Sequence, residues 1–138
     1  MLMSSLFSDS TLMALEKALD ASSLRQKVAA HNIANVNTPG FKRSYVAFEE
    51  ELRQALGKSN RLGLRRTSSR HMGQVGNLHE VLPQVKRDLS TGMRSDGNNV
   101  DIDVENAELA MNSIMYNAAA TRLNQKLQQL RYVINGGR

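Results

Sequence analysis

Apolar positions follow a helical period at both ends of this chain and lose it in between. Near the N-terminus Leu12, Leu15 and Leu19 open a stripe that passes through Ala21, Leu24 and Val28 towards Ala34 or Asn35. Spacings of three and four place these side chains on one helix face. Glu16, Lys17, Asp20, Arg25 and Lys27 occupy the other side. Asp9 or Ser10 is positioned to cap this helix, which is expected over 9–38. At the other end Tyr116, Ala120, Leu123, Leu127, Leu130 and Ile134 are spaced four, three, four, three and four. That is a coiled-coil seam, and with Met111, Ile114, Met115 and Ala118 widening it upstream it predicts a core-facing helix within 101–135. Neither helix can bury its stripe alone, so each is the natural partner of the other.

The N-terminal period ends in His31-Asn32-Ile33-Ala34-Asn35-Val36-Asn37-Thr38-Pro39-Gly40-Phe41-Lys42. Asn32, Asn35 and Asn37 are unusual on a helix because their amides compete for backbone groups. They suit either side-chain hydrogen bonding or helix termination. Thr38 precedes a proline and is pushed out of the helical region. Pro39-Gly40 fits the central pair of a type II turn, proline fixing the first φ and glycine accepting a positive second one. Phe41 supplies an apolar anchor for that turn.

The middle of the chain is less regular. Ser44 to Leu56 is expected to form a short helix, with Phe48, Leu52 and Leu56 on one face and Glu49, Glu50 and Glu51 near its start. Leu62-Gly63-Leu64 and His79 to Pro83 suit short extended pieces, but nothing here has the length or alternation to support a sheet. About forty residues without firm structure are rare inside a compact domain. This segment is therefore expected to be unfolded until a neighbour orders it. Asp96-Gly97-Asn98-Asn99 is a turn cluster, followed by Val100-Asp101-Ile102-Asp103-Val104. The acids fail the calcium-loop pattern, lacking glycine and glutamate at the required positions. The dipole of the following helix is enough to explain them, and no metal is expected.

Composition narrows the function classes. The chain has 138 residues, with three Phe, three Tyr, seven Met and no Trp, which favours helix-on-helix packing in one domain, 1–138. Without cysteine there are no disulfides, thiolate metal sites or cysteine nucleophiles. The net charge is +5, and between Leu52 and His79 lie Arg53, Lys58, Arg61, Arg65, Arg66 and Arg70 with no acid. Such a segment is either a phosphate-binding arm or a solvated linker, and the lack of interleaved aromatics favours the linker. His31, His71 and His79 have no nucleophile or carboxylate at a telling spacing, so no enzyme and no cofactor are expected. The opening Met1 to Phe7 lacks the features of a Sec-type signal, and no run reaches the length of a membrane span.

Two stretches, NIANVNTPGFKR after the first helix and DGNNVDIDVENAELAMNSIMYNAAATRLNQKL leading into the last, together resemble the flagellar axial protein family. The likeness covers essentially the whole chain. The Asn-Thr-Pro-Gly-Phe turn is shared with rod, hook and junction subunits. Asp96 to Asp101 in so short a chain, with Thr67 to His71 in its centre, is most similar to the rod protein B subunits of the proximal rod. The resemblance implies a mainly α fold: long terminal helices packed as a coiled-coil-like pair, with a flexible centre carrying short helix or strand pieces. It also implies a structural subunit of the hollow basal-body rod, exported by the flagellar type III apparatus and required for motility. Implied partners are itself, other rod subunits, the export gate and the basal adaptor, with no nucleic acid. The implied location is extracytoplasmic, periplasmic where an outer membrane exists. Subunit packing then falls to Leu12, Leu15, Leu19, Leu24, Val28, Tyr116, Leu123, Leu127, Leu130 and Ile134, and the asparagine amides are expected to fix register between subunits. Phe48 and Leu52 match the family's export-gate recognition pattern, although the same pair also suits the buried face of a short helix. A basic nucleic-acid-binding helical module is the alternative reading.

Overall fold

A computed structural model describes residues 10–55, 81–92 and 94–136. The possible cap Asp9, Leu56, Leu62 to Leu64, the basic residues Lys58 to Arg70, His71 and His79 lie outside the described residues. The described elements are helix α1 (Ser10–Ala34), strand β1 (Ser44–Ala47), helix α2 (Glu49–Ala55), strand β2 (Gln84–Arg87) and helix α3 (Ile102–Ile134). The architecture is mainly helical, with the two long terminal helices packed on each other and short strand and helix pieces between them.

Helix α1 stops sooner than its apolar period suggests. Asn35 N–H donates to the Asn32 carbonyl at 3.1 Å, Val36 N–H to Ile33 at 3.2 Å and Thr38 N–H to Asn35 at 3.0 Å. These three-residue bonds tighten the last turn and end the helix. The Phe41 N–H reaches the Thr38 carbonyl at 3.3 Å and Gly40 has φ 71°, as a type II turn requires. The Phe41 ring lies 5.5 Å from that of His31, pinning the turn to the helix it follows. Helix α3 starts at a true cap, the Asp101 carboxylate accepting from Asp103 N–H at 2.9 Å and Val104 N–H at 3.3 Å.

The helices run antiparallel, since Asn32 meets Glu105 while Asn112, further along α3, meets Ser22 further back on α1. At 1.5 Å per residue α1 is about 38 Å long and α3 about 50 Å, so α3 extends beyond its partner.

Two expectations need correction. Ser44 does not begin a helix: Ser44–Ala47 is a strand, antiparallel to Gln84–Arg87 in the register Ser44↔Arg87 and Val46↔Val85, and only Glu49–Ala55 is helical. The sheet went unseen because each strand is four residues long and every residue of β2 is exposed. A two-stranded sheet of this size needs other support. It gets it from α1, because Ala21, Val46, Phe48 and Val81 form the core, with Ala18, Leu24, Val28, Leu52 and Ala55 packed around them. Part of the α1 stripe therefore faces the sheet and α2.

The second correction concerns the C-terminal seam, which is not core in the single chain. Tyr116 is 37% exposed, Leu127 38% and Ile134 58%, while Leu123 and Leu130 are half-buried. Leu12, Leu15 and Leu19 on α1 are also half-buried. Two helices meet along one line and cannot surround a seam. On α3 the buried residues are polar, Glu105 and Asn112.

Candidate functional site

The most ordered chemistry in the molecule joins the end of α1 to the start of α3. Asn32, on the last turns of α1, is 1% exposed. Its Oδ1 accepts from the Ser44 N–H at 3.0 Å and its Nδ2 donates to the Ser44 carbonyl at 2.8 Å. The amide thus pairs with the backbone of β1 as a neighbouring strand would. The same Nδ2 also donates to Glu105 Oε2 at 3.1 Å.

Glu105 is 1% exposed, and Arg43 sits beside it, Nε donating to Oε1 at 2.5 Å. The other arm of Arg43 reaches Glu108 at 2.5 Å. Burial works against the Arg43 charge, but the hydrogen bond and attraction of Glu105, followed by those of Glu108, outweigh it and raise its pKa. A buried ion pair of this kind is held together by the bonds around it; losing one partner strands the other. The sequence offered only a helix-dipole role for Glu105, and its burial was not visible there.

Asn98 and Asn99 complete the joint. Asn98 is fully buried, and its Nδ2 lies 3.0 Å from the carbonyls of Asn35 and Val36 and 2.9 Å from that of Thr38. It caps the end of α1 from the far side of the chain, while its Oδ1 accepts from Val100 N–H at 2.8 Å. Asn99 Oδ1 accepts from Arg43 N–H at 2.7 Å, and its Nδ2 donates to the carbonyls of Asp88 at 3.0 Å and Ser90 at 3.2 Å. Gly40 N–H closes the contact on the Asp96 carbonyl at 2.8 Å. The guanidinium of Arg94, then the Asn98 N–H, hold the Asp96 carboxyl below its ordinary pKa. The Ser90 N–H, then its hydroxyl, do the same for Asp88.

Two of the three asparagines at the end of α1 make side-chain bonds within the chain. Asn32 spends both amide atoms inside its own chain, and Asn35 donates to His31 and accepts from the Thr38 hydroxyl. Asn37, Thr38, Pro39 and Gly40 are exposed. Buried as it is, Asn32 sets the register of β1 and α3 against α1. Gly92 is a further element of the joint that sequence reasoning missed. A Cβ there would lie 2.4 Å from the Asn98 carbonyl oxygen and 2.8 Å from Asn99 Cα. A glycine before a turn cluster is too common a signal to have revealed it.

Phe48 is 4% exposed within the core, and its carbonyl starts α2 by accepting from Leu52 N–H at 3.0 Å. Leu52 packs beside it, half-buried.

Comparison with known proteins bears on the chain as a whole. A family model described as flagella basal body rod protein matches residues 10–42, which span α1 and the Pro-Gly turn. The flagellar basal body rod protein FlgB of Bacillus subtilis is 39% identical over 136 residues, covering 97% of this chain and 99% of the relative. The chain belongs to the FlgB family of flagellar basal body rod proteins. FlgB of Borreliella burgdorferi is 44% identical over 71% of this chain and 76% of its own length, and FlgB of Salmonella typhimurium 30% identical over 94% and 96%. The protein is thus a structural subunit of the flagellar basal body rod. Among the described residues no helix is long and apolar enough to cross a membrane.

Proposed function

We propose that this chain, as a single domain over 1–138, is the proximal-rod subunit and polymerises through its terminal helices into the hollow drive shaft. That shaft joins the export gate and basal ring region to the distal rod, and motility depends on it. The subunit contacts copies of itself, other rod subunits, the export gate and the basal adaptor. It acts outside the cytoplasmic membrane, in the periplasm where there is an outer membrane. The observation that carries this reading is on α3, where Met111 is 59% exposed, Ile114 70%, Val133 66% and Ile134 58%. A long helix with apolar side chains open on several sides is a liability in a monomer and an asset in a polymer, where neighbours cover them. Leu12, Leu15, Leu19, Leu24 and Val28 with Tyr116, Leu123, Leu127, Leu130 and Ile134 are the packing residues of that assembly. Phe48 and Leu52 are read by the export gate before the chain folds.

The test uses cells deleted for the gene and supplied with the wild-type chain or Ile114→Asp. The wild-type chain should restore swimming and be recovered in purified basal bodies. Ile114→Asp, at an exposed position, should fold normally and be missing from them. Swimming that does not depend on the chain removes the rod reading.

A further inference from the structure

We infer that the outer edge of β2 receives an extended, acidic segment of a neighbouring rod subunit, which adds to the sheet as a third strand. This rests on the rod-subunit reading above and specifies one of its contacts.

Backbone geometry identifies the open groups. Asp88 N–H donates to the Arg43 carbonyl at 2.8 Å, and the register sets Ser44 opposite Arg87 and Tyr45 opposite Lys86. Directly opposed residues of an antiparallel pair alternate between bonding each other and turning outward. Arg43 with Asp88 and Tyr45 with Lys86 are then the bonding positions. Ser44 on β1, and Val85 and Arg87 on β2, turn their N–H and C=O groups away from the pair. On β1 both groups of Ser44 meet the amide of Asn32, so a side chain closes that edge. The outer edge of β2 has no such cover. The sheet has two strands among the described residues, and every residue of β2 is exposed. A row of outward N–H and C=O groups is complementary to one kind of partner, another extended backbone.

Charge narrows that partner. Lys86 and Arg87 are neighbours on the strand, and neither has a carboxylate partner among the described residues. The adjacent Asp88 carboxylate is occupied, accepting from Ser90 N–H at 2.9 Å. Consecutive strand residues point to opposite faces, so an added strand meets a cation on each face of the sheet. Opposite charges across a strand pair stabilise it and like charges destabilise it. Cations on an edge therefore turn away indiscriminate strands and admit an acidic one. A second copy of β2 is among those refused, because pairing it here sets Lys86 and Arg87 of both copies along one seam. Leu82, 60% exposed, and Leu89, 79% exposed, flank the strand and offer apolar contact at its two ends.

Proline at an outward position tests the edge. Val85→Pro removes one outward N–H and leaves the inward bonds of β2 in place, which is where an edge strand tolerates proline. Val85→Ala keeps the N–H and is its control. Each full-length variant is expressed in cells deleted for the gene, and its melting temperature and its amount in purified basal bodies are measured. The two should melt within a few degrees of each other. Val85→Pro should be incorporated at least about tenfold less than Val85→Ala, the equivalent of 1.4 kcal/mol. Equal incorporation of the two overturns the inference. Should Val85→Pro fail to fold, charge decides: Lys86→Glu with Arg87→Glu is compared with Lys86→Gln with Arg87→Gln, all at exposed positions. The glutamate pair should be incorporated less than the glutamine pair, and equality or the reverse order overturns an acidic partner. A wild-type chain that sediments as a dimer, with Val85→Pro a monomer, makes a second copy the occupant and overturns the inference as well. Absence of the wild-type chain from basal bodies would instead refute the rod reading itself.

Discussion

Asn32 and Glu105 lie 73 residues apart in sequence and 3.1 Å apart in space, Nδ2 to Oε2. This one bond ties the Pro-Gly turn motif to the first turn of the last helix. Because Asn32 also pairs both ways with the Ser44 backbone, it is shared by three elements.

Replacing it should therefore cost more than one hydrogen bond. Asn32→Leu leaves the Ser44 N–H and carbonyl and Glu105 without this partner, at about 1–3 kcal/mol for each buried group that finds no other. Asn32→Asp should be no milder at neutral pH, since it sets a second carboxylate against Glu105. Two carboxylates sharing a site raise the pKa of one of them. The raised folded-state pKa means the variant should regain ground against wild type as pH falls, and lose it as pH rises. Urea unfolding of both variants from pH 4 to 8 checks the direction.

Asp96 should make the Asp96–Asn99 turn sensitive to acid. Its folded-state pKa is depressed, so its contribution is present above the ordinary carboxylate value of about 3.9 and is lost as pH falls below it. Amide signals of Gly97 and Asn98 should shift and broaden over that range in wild type. In Asp96→Asn the same signals should hold steady.

The two glycines at the joint should fail for different reasons. At Gly40 a Cβ meets nothing within 4 Å, so only the φ of 71° is at stake. Gly40→Asn should be tolerated far better than Gly40→Val, because asparagine accepts left-handed backbone and β-branched residues do not. At Gly92 the obstacle is the backbone of Asn98 and Asn99, and even Gly92→Ala should lower the melting temperature. Equal melting temperatures for Gly92→Ala and wild type would mean the loop shifts freely.

The helix pair and the turn were readable because their signals are local: a period of three and four, and a proline before a glycine. Strand β2 was not, as its four exposed residues carry no alternation. Nor was Glu105, whose carboxylate sits where any helix start would accept one. Its role depends on Arg43 arriving from a different element. The asparagines of the turn announced hydrogen bonding, and the sequence could not say to whom. Their partners are the Ser44 backbone of β1, the Glu105 carboxylate of α3, the His31 carbonyl and the Thr38 hydroxyl, which side-chain spacing does not encode.

The half-open seam separates folding from assembly. Leu123→Ala, at a half-buried position, should cost the isolated chain less than the 2–5 kcal/mol of a full core site. Its effect on incorporation into basal bodies should be larger. Leu127→Pro should abolish both, since mid-helix proline costs about 3 kcal/mol and breaks the facing pair. Comparing melts with basal-body content separates the two effects.

Phe48→Ala tests export against packing. Phe48 belongs to the core, so the folded variant should be weakened by about 3–5 kcal/mol. If the gate also reads this residue, the variant should accumulate in the cytoplasm of a strain blocked at rod completion. Normal release with failed incorporation would leave packing as its only role.

The cap that Asn98 places on the carbonyls of Asn35, Val36 and Thr38 also has a consequence in time. It spans 60 to 63 residues of chain, and closing so long a loop is slow compared with forming a helical turn. A polypeptide emerging N-terminus first therefore presents its first helix with an unfinished end until two-thirds of the chain has followed. Until then folding is postponed by topology alone. The joint between the two long helices is therefore the last part of the fold that can close.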